Sequence, residues 1–251
     1  MSKPAARVGQ ALRLDRLLAN CGLGSRSHVE MLIRRGQVNV DGQMQREPST
    51  KVSASLFSTV RLDDEPLDRP HGVTIVLHKP VGFSCSHDER EAPLVDELLP
   101  PIWASRTPRP EWAGRLDRET SGLLLISDDH QLVHRLTSPK HHVDKVYDVA
   151  LAARLPDASA AVATFASGTL MLESDDRPCR PAELHLTDDP LTVHVVLREG
   201  RYHQVRRMIV AVGGHVQSLH RSAFGPWSWA SVGELGPGEW VDVNPTLAFP
   251  R

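Results

Sequence analysis

Cysteine is scarce in this chain of 251 residues: Cys21, Cys85 and Cys179 stand far apart, with no Cys-x-x-Cys pair. That excludes a disulfide framework and a thiolate zinc site, and it fits a reducing cytosol. Long apolar runs are missing too. Leu123 to Ile126 is far too short to span a bilayer. Met1-Ser2-Lys3-Pro4-Ala5-Ala6-Arg7 lacks the apolar core of a signal peptide. A cytoplasmic protein with no membrane partner is expected. None of the thirteen histidines belongs to a His-x-x-x-His pair carrying a Glu, so no metal is expected. His141-His142 reads as an RNA-facing or structural pair. No Walker loop is present. The glycines of Gly233-Glu234-Leu235-Gly236-Pro237-Gly238 lack dinucleotide spacing and read as a loop. Tyrosine occurs only twice, at Tyr147 and Tyr202.

Positive net charge is also absent, the formal sum being -2. Its distribution says more. Residues 1–61 carry ten Lys/Arg against four Asp/Glu, a local +6, and the remainder carries -8. A basic first quarter on an acidic body suggests a separate polyanion-binding module. The hydrophobic content of 40% and charged content of 24% are ordinary for a globular protein. The length accommodates more than one domain.

The module is expected over residues 11–60, after a flexible 1–10. Leu14, Leu17, Leu18 and Cys21 share one helical face. Gly22 and Gly24 end that helix. Ser27-His28-Val29-Glu30 reads as the capping box of a second helix, with Val29, Leu32 and Ile33 inward and Gly36 closing it. Val38-Asn39-Val40 alternates as a strand, and Asp41-Gly42 is a hairpin turn. Arg13, Arg16, Arg26, Arg34 and Arg35 are left for the outer faces, where phosphate contacts are plausible. Residues 61–71 are polar, hold two prolines and suit a linker. The body, 72–251, has a buried strand from Val73 to Leu77 and an irregular loop over 100–112. Leu123 to Ile126 reads as a covered strand. Asp128 or Asp129 caps the next helix, which turns Leu132, Val133 and Leu136 inward. Tyr147, Val149 and Leu151 share a strand face, and Leu191 to Leu197 is a further strand. A helix follows with Val205, Met208, Ile209 and Val212 inward. Strands do not alternate regularly with helices, so the expected class is α+β, with a mixed, mainly antiparallel sheet. Glu173-Ser174-Asp175-Asp176-Arg177 reads as an exposed turn without a role.

Gly114-Arg115-Leu116-Asp117 is the most informative stretch. An aspartate between Arg115 and Arg118 stays ionised at neutral pH, fit to act as nucleophile or base, although Asp beside Arg is usually a surface ion pair. The wording closely resembles the catalytic motif of pseudouridine synthases. Lys79-Pro80-Val81-Gly82, Lys145-Val146-Tyr147 and Glu199-Gly200-Arg201-Tyr202-His203-Gln204-Val205-Arg206-Arg207-Met208 resemble further motifs of that family, in its order. Thr137-Ser138-Pro139-Lys140-His141-His142 and Leu219-His220-Arg221 resemble the RsuA branch, which modifies small-subunit ribosomal RNA. Residues 13–18, 25–27 and 33–42 resemble an S4 domain.

The resemblance implies a cofactor-independent isomerase with an S4-like module. It would act as a monomer on ribosomal RNA or a ribosomal assembly intermediate, the branch's usual target being uridine 516 of 16S rRNA. It implies Asp117 as the catalytic residue, whether by attack on C1′, addition to the uracil ring or removal of a ribose proton. Tyr147 would pack on the flipped base, recovering about 1–3 kcal/mol of the unstacking cost. Arg206, rather than Arg207, would hold the Asp117 charge. Arg13, Arg16, Ser25, Arg26, Arg34 and Arg35 would contact RNA in the module. In the body, Lys79 and Lys145 would position RNA or support the loop, Arg115 would fill the gap left by the extruded base or grip a flanking phosphate, and Arg207 would contact RNA. Tyr202 is expected to be structural. A large-subunit synthase and a non-catalytic RNA-binding factor are the alternatives.

Overall fold

A computed structural model describes residues 11–249, so the expected flexible segment 1–10 lies outside the described residues. The chain forms two compact units. One comprises the described residues up to Thr74 together with Asp96–Glu111 and Ile126–Leu132; the other comprises Ile75–Val95, Trp112–Leu125 and the rest from Val133.

The first unit opens with β1 (Leu12–Arg13), α1 (Leu14–Asn20) and α2 (Arg26–Arg34). It continues with β2 (Val38–Val40), β3 (Gln43–Gln45), β4 (Lys51–Val52), β5 (Arg61–Leu62) and β6 (Glu65–Pro66). As the spacing predicts, Leu14, Leu17, Leu18 and Cys21 are buried, and they pack with Val29, Ile33, Val38 and Phe57 in one core. Leu32 is only half-buried. The second helix starts earlier than expected. Ser25, not Ser27, is its N-cap, accepting from the His28 amide, and the Gly24 backbone (φ 114°) turns the chain just before it. Asp41 and Gly42 both take positive φ between β2 and β3, as a two-residue hairpin requires.

Residues 61–71, expected as a linker, are built into this unit. β5 pairs with β2 (Val38 opposite Leu62) and β6 folds back on β5, while Leu67 joins the core. Trp103 Nε1 donates to Asp68 at 2.6 Å, and the buried Arg106 donates to the carbonyls of Asp68 and Arg69 and to Asp128. Two prolines and an acidic pair look like a tether, but partners 24 residues upstream and 35 downstream fix the segment.

The second unit is built on a mixed, mainly antiparallel sheet, matching the α+β expectation. Its strands are β7 (Thr74–Lys79), β8 (Glu111–Trp112), β9 (Thr120–Ser127), β10 (Lys145–Leu151), β11 (Glu183–Leu186), β12 (Thr192–Leu197), β13 (Val216–Phe224), β14 (Trp227–Ser228) and β15 (Trp240–Asp242). The order is β11-β12-β10-β13-β9-β7-β15, with β8 beside β9 and β14 beside β13. α3 (His130–Thr137), α4 (Ala158–Ala166), α5 (Gln204–Ala211) and α6 (Trp229–Val232) accompany it. Asp129 caps α3, accepting from the Gln131 and Leu132 amides.

β9 and β13 form the parallel pair, with Gly122 opposite Arg221. A Cβ at Gly122 would overlap the Arg221 carbonyl oxygen, so only glycine lets these strands approach here. Along β10, residues alternate between buried and half-buried, with Lys145, Tyr147, Val149 and Leu151 on the covered face.

Candidate active site

The loop between β8 and β9 carries Asp117, and the preceding motif holds that loop in place. Lys79 is fully buried at the end of β7. Its Nζ donates to the carbonyls of Pro80 (3.0 Å), Asp117 (3.2 Å) and Thr120 (2.8 Å). The Gly82 amide donates to the Arg118 carbonyl at 2.8 Å. Lys-Pro-x-Gly is therefore a clamp on the Asp117 loop. Of the two expected roles for Lys79, this is loop support and not RNA contact: no water-accessible surface remains on it.

Beside the loop lies a cavity of about 600 Å³. Its floor is the covered face of β10 and β13, contributing Lys145, Tyr147, Leu219 and Arg221. One wall is the loop from Gly114 to Arg118, the other the segment from Glu199 to Val205. Asp117 has a side chain 35% exposed, and its Oδ1 lies 3.6 Å from His203 Nε2. The carboxylate thus faces the cavity within reach of solvent and substrate.

The sequence-predicted residues divide. Asp117, Arg115, Tyr147 and Lys145 all line the cavity. Arg206 and Arg207 do not. The Arg206 guanidinium donates to the Glu119 carbonyl at 3.0 Å. Arg207 is spent on Asp175 at 2.8 Å and on the carbonyls of Tyr202 and Glu173. Among the described residues, the ion partner of Asp117 is His203, and this corrects the expected pairing with Arg206. Helical periodicity set both arginines off the apolar stripe of α5 but said nothing about what they would meet.

Several residues at the cavity were not anticipated. Arg221 is buried, its Nε donating to the Leu123 carbonyl at 2.8 Å and its Nη2 to the Gly114 carbonyl at 3.3 Å. An arginine two residues after Leu219 on one strand face was the available signal. Tyr202, expected to be structural, is 77% exposed and stacks on His203, with ring centroids 3.9 Å apart. Glu199 is buried and accepts from Gln204 Nε2 at 2.7 Å and from the Arg180 amide. The turn at Glu173–Arg177 gains a function: Asp175 anchors Arg201 and Arg207, whose hydrogen bonds pull its carboxyl below the usual range. Cys85 also lines the cavity, but burial pushes its thiol up, so it is no nucleophile at neutral pH.

In the first unit Arg13, Arg16, Arg26, Arg34 and Arg35 are all exposed. Two of them are oriented by Asp15, which is almost fully buried. Arg13 forms a two-pronged contact with it (3.1 and 2.8 Å), and Arg26 reaches it at 3.2 Å. Ser25 is exposed, and its Oγ accepts from the His28 amide as the cap of α2. Among the described residues, no three His, Cys, Asp or Glu side chains gather as a metal site, and no helix is long and apolar enough to cross a membrane.

Comparison with known proteins agrees with this geometry. The model of the RNA pseudouridylate synthase family matches residues 73–211, and the S4 domain model matches residues 12–56. The chain is 38% identical to ribosomal small subunit pseudouridine synthase A of Escherichia coli (strain K12), over 91% of this chain and 95% of that one. It is 36% identical to the RNA pseudouridine synthase YtzG of Bacillus subtilis (strain 168), over 93% and 95%. A crystal structure of a pseudouridylate synthase superposes with a TM-score of 0.61 at 34% identity, covering 94% of this chain and 97% of that one.

Proposed function

Since the chain belongs to the RNA pseudouridylate synthase family and carries an S4 domain ahead of the synthase domain, we propose that it converts one uridine of small-subunit ribosomal RNA to pseudouridine. The observation that carries this reading is Asp117, clamped by Lys79 and Gly82 at the wall of a nucleotide-sized cavity whose floor holds Tyr147. The reaction opens the bond between C1′ and N1, turns the ring, joins C5 to C1′, and exchanges the proton on C5 for one on N1. No oxidant and no phosphoryl donor enters that balance.

Asp117 supplies the carboxylate at the sugar and Tyr147 the aromatic face for the flipped uracil. His203 lies 3.6 Å from the Asp117 carboxylate and pairs with it as an ion when protonated. Arg115 lies exposed at the cavity, placed to grip a flanking phosphate. The exposed arginines of the first unit supply sequence-independent phosphate contacts. The small-subunit assignment is supported by the name of the Escherichia coli relative. Free, buried Cys21, Cys85 and Cys179 support a reducing compartment.

The test is pseudouridine mapping on unmodified small- and large-subunit ribosomal RNA, and on assembly intermediates, with wild-type protein and Asp117→Asn. One new small-subunit pseudouridine, at uridine 516 of 16S rRNA if the branch's usual target holds, is expected with wild type and absent with the mutant. RNA binding should be nearly equal for the two proteins. A large-subunit product would overturn the branch assignment, and no product on any substrate would favour a non-catalytic binding factor.

A further inference from the structure

Lys145 occupies a position that packing alone would give to leucine. It begins β10 between Leu197 on β12 and Phe224 on β13, both buried. It is only 7% exposed, yet it lines the cavity. Its Nζ has one hydrogen-bond acceptor in the protein, the Val143 carbonyl, at a long 3.3 Å, and lies 5.4 Å from the centre of the Phe224 ring. Among the described residues no carboxylate pairs with it. Asp144 is taken by Arg198 at 2.7 Å, and Glu199 by Gln204 and Arg201. The neighbouring cation, Arg221, also has only neutral acceptors. Two buried positive charges thus sit in the floor without direct counter-ions, an arrangement that costs stability unless a partner arrives.

We propose that the partner is the target base: Lys145 donates to a carbonyl oxygen of the flipped uracil and stabilises the charge that the ring carries while it is detached. The inference rests on the synthase reading above. Lys145 and Tyr147 are two residues apart on one strand face, so their Cα atoms are separated by about 6.6 Å. A base packed on Tyr147 therefore brings its edge to Lys145. When the bond between C1′ and N1 opens, the electron pair leaves with the ring. The uracil anion shares that charge among N1, O2 and O4, until C5 bonds to C1′; the C5 proton is then lost and N1 gains one. A desolvated, preorganised cation at a carbonyl oxygen is worth far more to this anion than to neutral uridine, which is the condition for lowering the barrier. Phosphates are held by exposed groups at the rim, whereas Lys145 lies beneath them.

Burial pulls the Lys145 ammonium down to about 8, and the Arg221 guanidinium adds to the fall, against the opposing pull of Asp144 and Glu199. The required cation is therefore lost as pH rises through about 8. Asp117 and His203 on the walls, and Lys79 behind the loop, also near 8, are common to every variant at this position.

The experiment measures single-turnover pseudouridine formation and RNA affinity for wild type, Lys145→Met and Lys145→Arg, with the full chain. Lys145→Met should lower the rate at saturating RNA by about 100-fold while Kd changes less than about twofold. Lys145→Arg should retain a rate within about tenfold of wild type and fold normally. Its alkaline decline in kcat/KM should lie at higher pH than that of wild type, since deprotonation of uridine itself is shared. A Lys145→Met rate within threefold of wild type, a loss confined to Kd, or coincident alkaline declines for wild type and Lys145→Arg would each overturn the proposal. If wild type itself forms no pseudouridine, the underlying synthase reading fails; if wild type is active and the variants match it, only this inference fails.

Discussion

Replacing Lys79 by methionine separates loop positioning from stability. The methionine fills most of the lysine's volume and removes the donor shared by the carbonyls of Pro80, Asp117 and Thr120. Each carbonyl left without a donor costs about 1 kcal/mol, the low end of the range, because this loop borders an open cavity that water enters. The loss is about 3 kcal/mol. Against it stands the cost of keeping the ammonium buried. Burial pulls Lys79 from 10.5 down to about 8 despite Asp117 and Glu119 nearby, and at 1.36 kcal/mol per unit that disfavours its charge by about 3 kcal/mol. The two nearly cancel, so Lys79→Met should melt within about 5 °C of wild type at pH 7. The loop, however, loses what fixes Asp117. A displacement of about 1 Å costs about 100-fold in rate, and kcat should fall on that order. Differential scanning calorimetry and single-turnover pseudouridine formation read the two quantities. A kcat within threefold of wild type would refute the clamp; a loss of fold would refute the cancellation. The lysine has a pH signature as well. Since its folded value lies below its unfolded one, its contribution to stability is greatest above 10.5 and is lost as pH falls through about 8.

Two further outcomes follow from other buried polar groups. His220 accepts at Nε2 from Trp229 Nε1 at 2.9 Å, so the neutral ring donates from Nδ1 to Ser121 Oγ at 2.9 Å. Burial, then His78, lowers its value below 6.5, so its stability contribution is present above 6.5 and lost as pH falls through the folded value. Urea midpoints at pH 7 and pH 5 should differ more for wild type than for His220→Gln; equal differences would show that other groups carry the acid sensitivity. In the S4 domain, burial alone would raise Asp15, but the Arg13 fork and the Arg16 amide outweigh it and lower its value. Asp15→Asn should cost about 2 kcal/mol, and by releasing Arg13 and Arg26 it should reduce the slope of log K against log salt for RNA binding by about 1–2. Filter binding across salt concentrations checks this, and an unchanged slope would remove these two arginines from the phosphate-contacting set.

What could be read from the sequence, and what could not, follows from how far each residue's partner lies along the chain. Leu14, Leu17 and Leu18 declare a helix face because the helix itself sets their spacing, and Asp41-Gly42 declares a hairpin because its strands adjoin it. The run from Leu123 to Ile126 is buried for the reason its composition implies. Lys79 was placed in the right motif with two roles left open, RNA contact or loop support, since the carbonyls that decide between them belong to a loop 38 to 41 residues on. Residues 61–71 looked like a tether because they are polar and hold two prolines; Val38 and Asn39, which pair with Leu62 and Arg61, lie far upstream.

The active site repeats this logic in a sharper form. Motif wording located Asp117, Tyr147 and Lys145 around one cavity, yet it assigned the carboxylate's partner to a helix position whose guanidinium turns to the Glu119 carbonyl instead. Periodicity states which face of an element is apolar. It leaves polar residues on that face unexplained, and Lys145 and Arg221 are two of them. A cation on a buried face must find acceptors from other strands, from neighbouring loops or from a bound substrate. Arg221 finds the carbonyls of Leu123 and Gly114, whereas the one carbonyl that Lys145 finds, Val143, is at a long distance, beside the Phe224 ring. That difference in satisfaction, visible only once β10 and β13 are paired, separates a cation that builds the site from one that waits for the base.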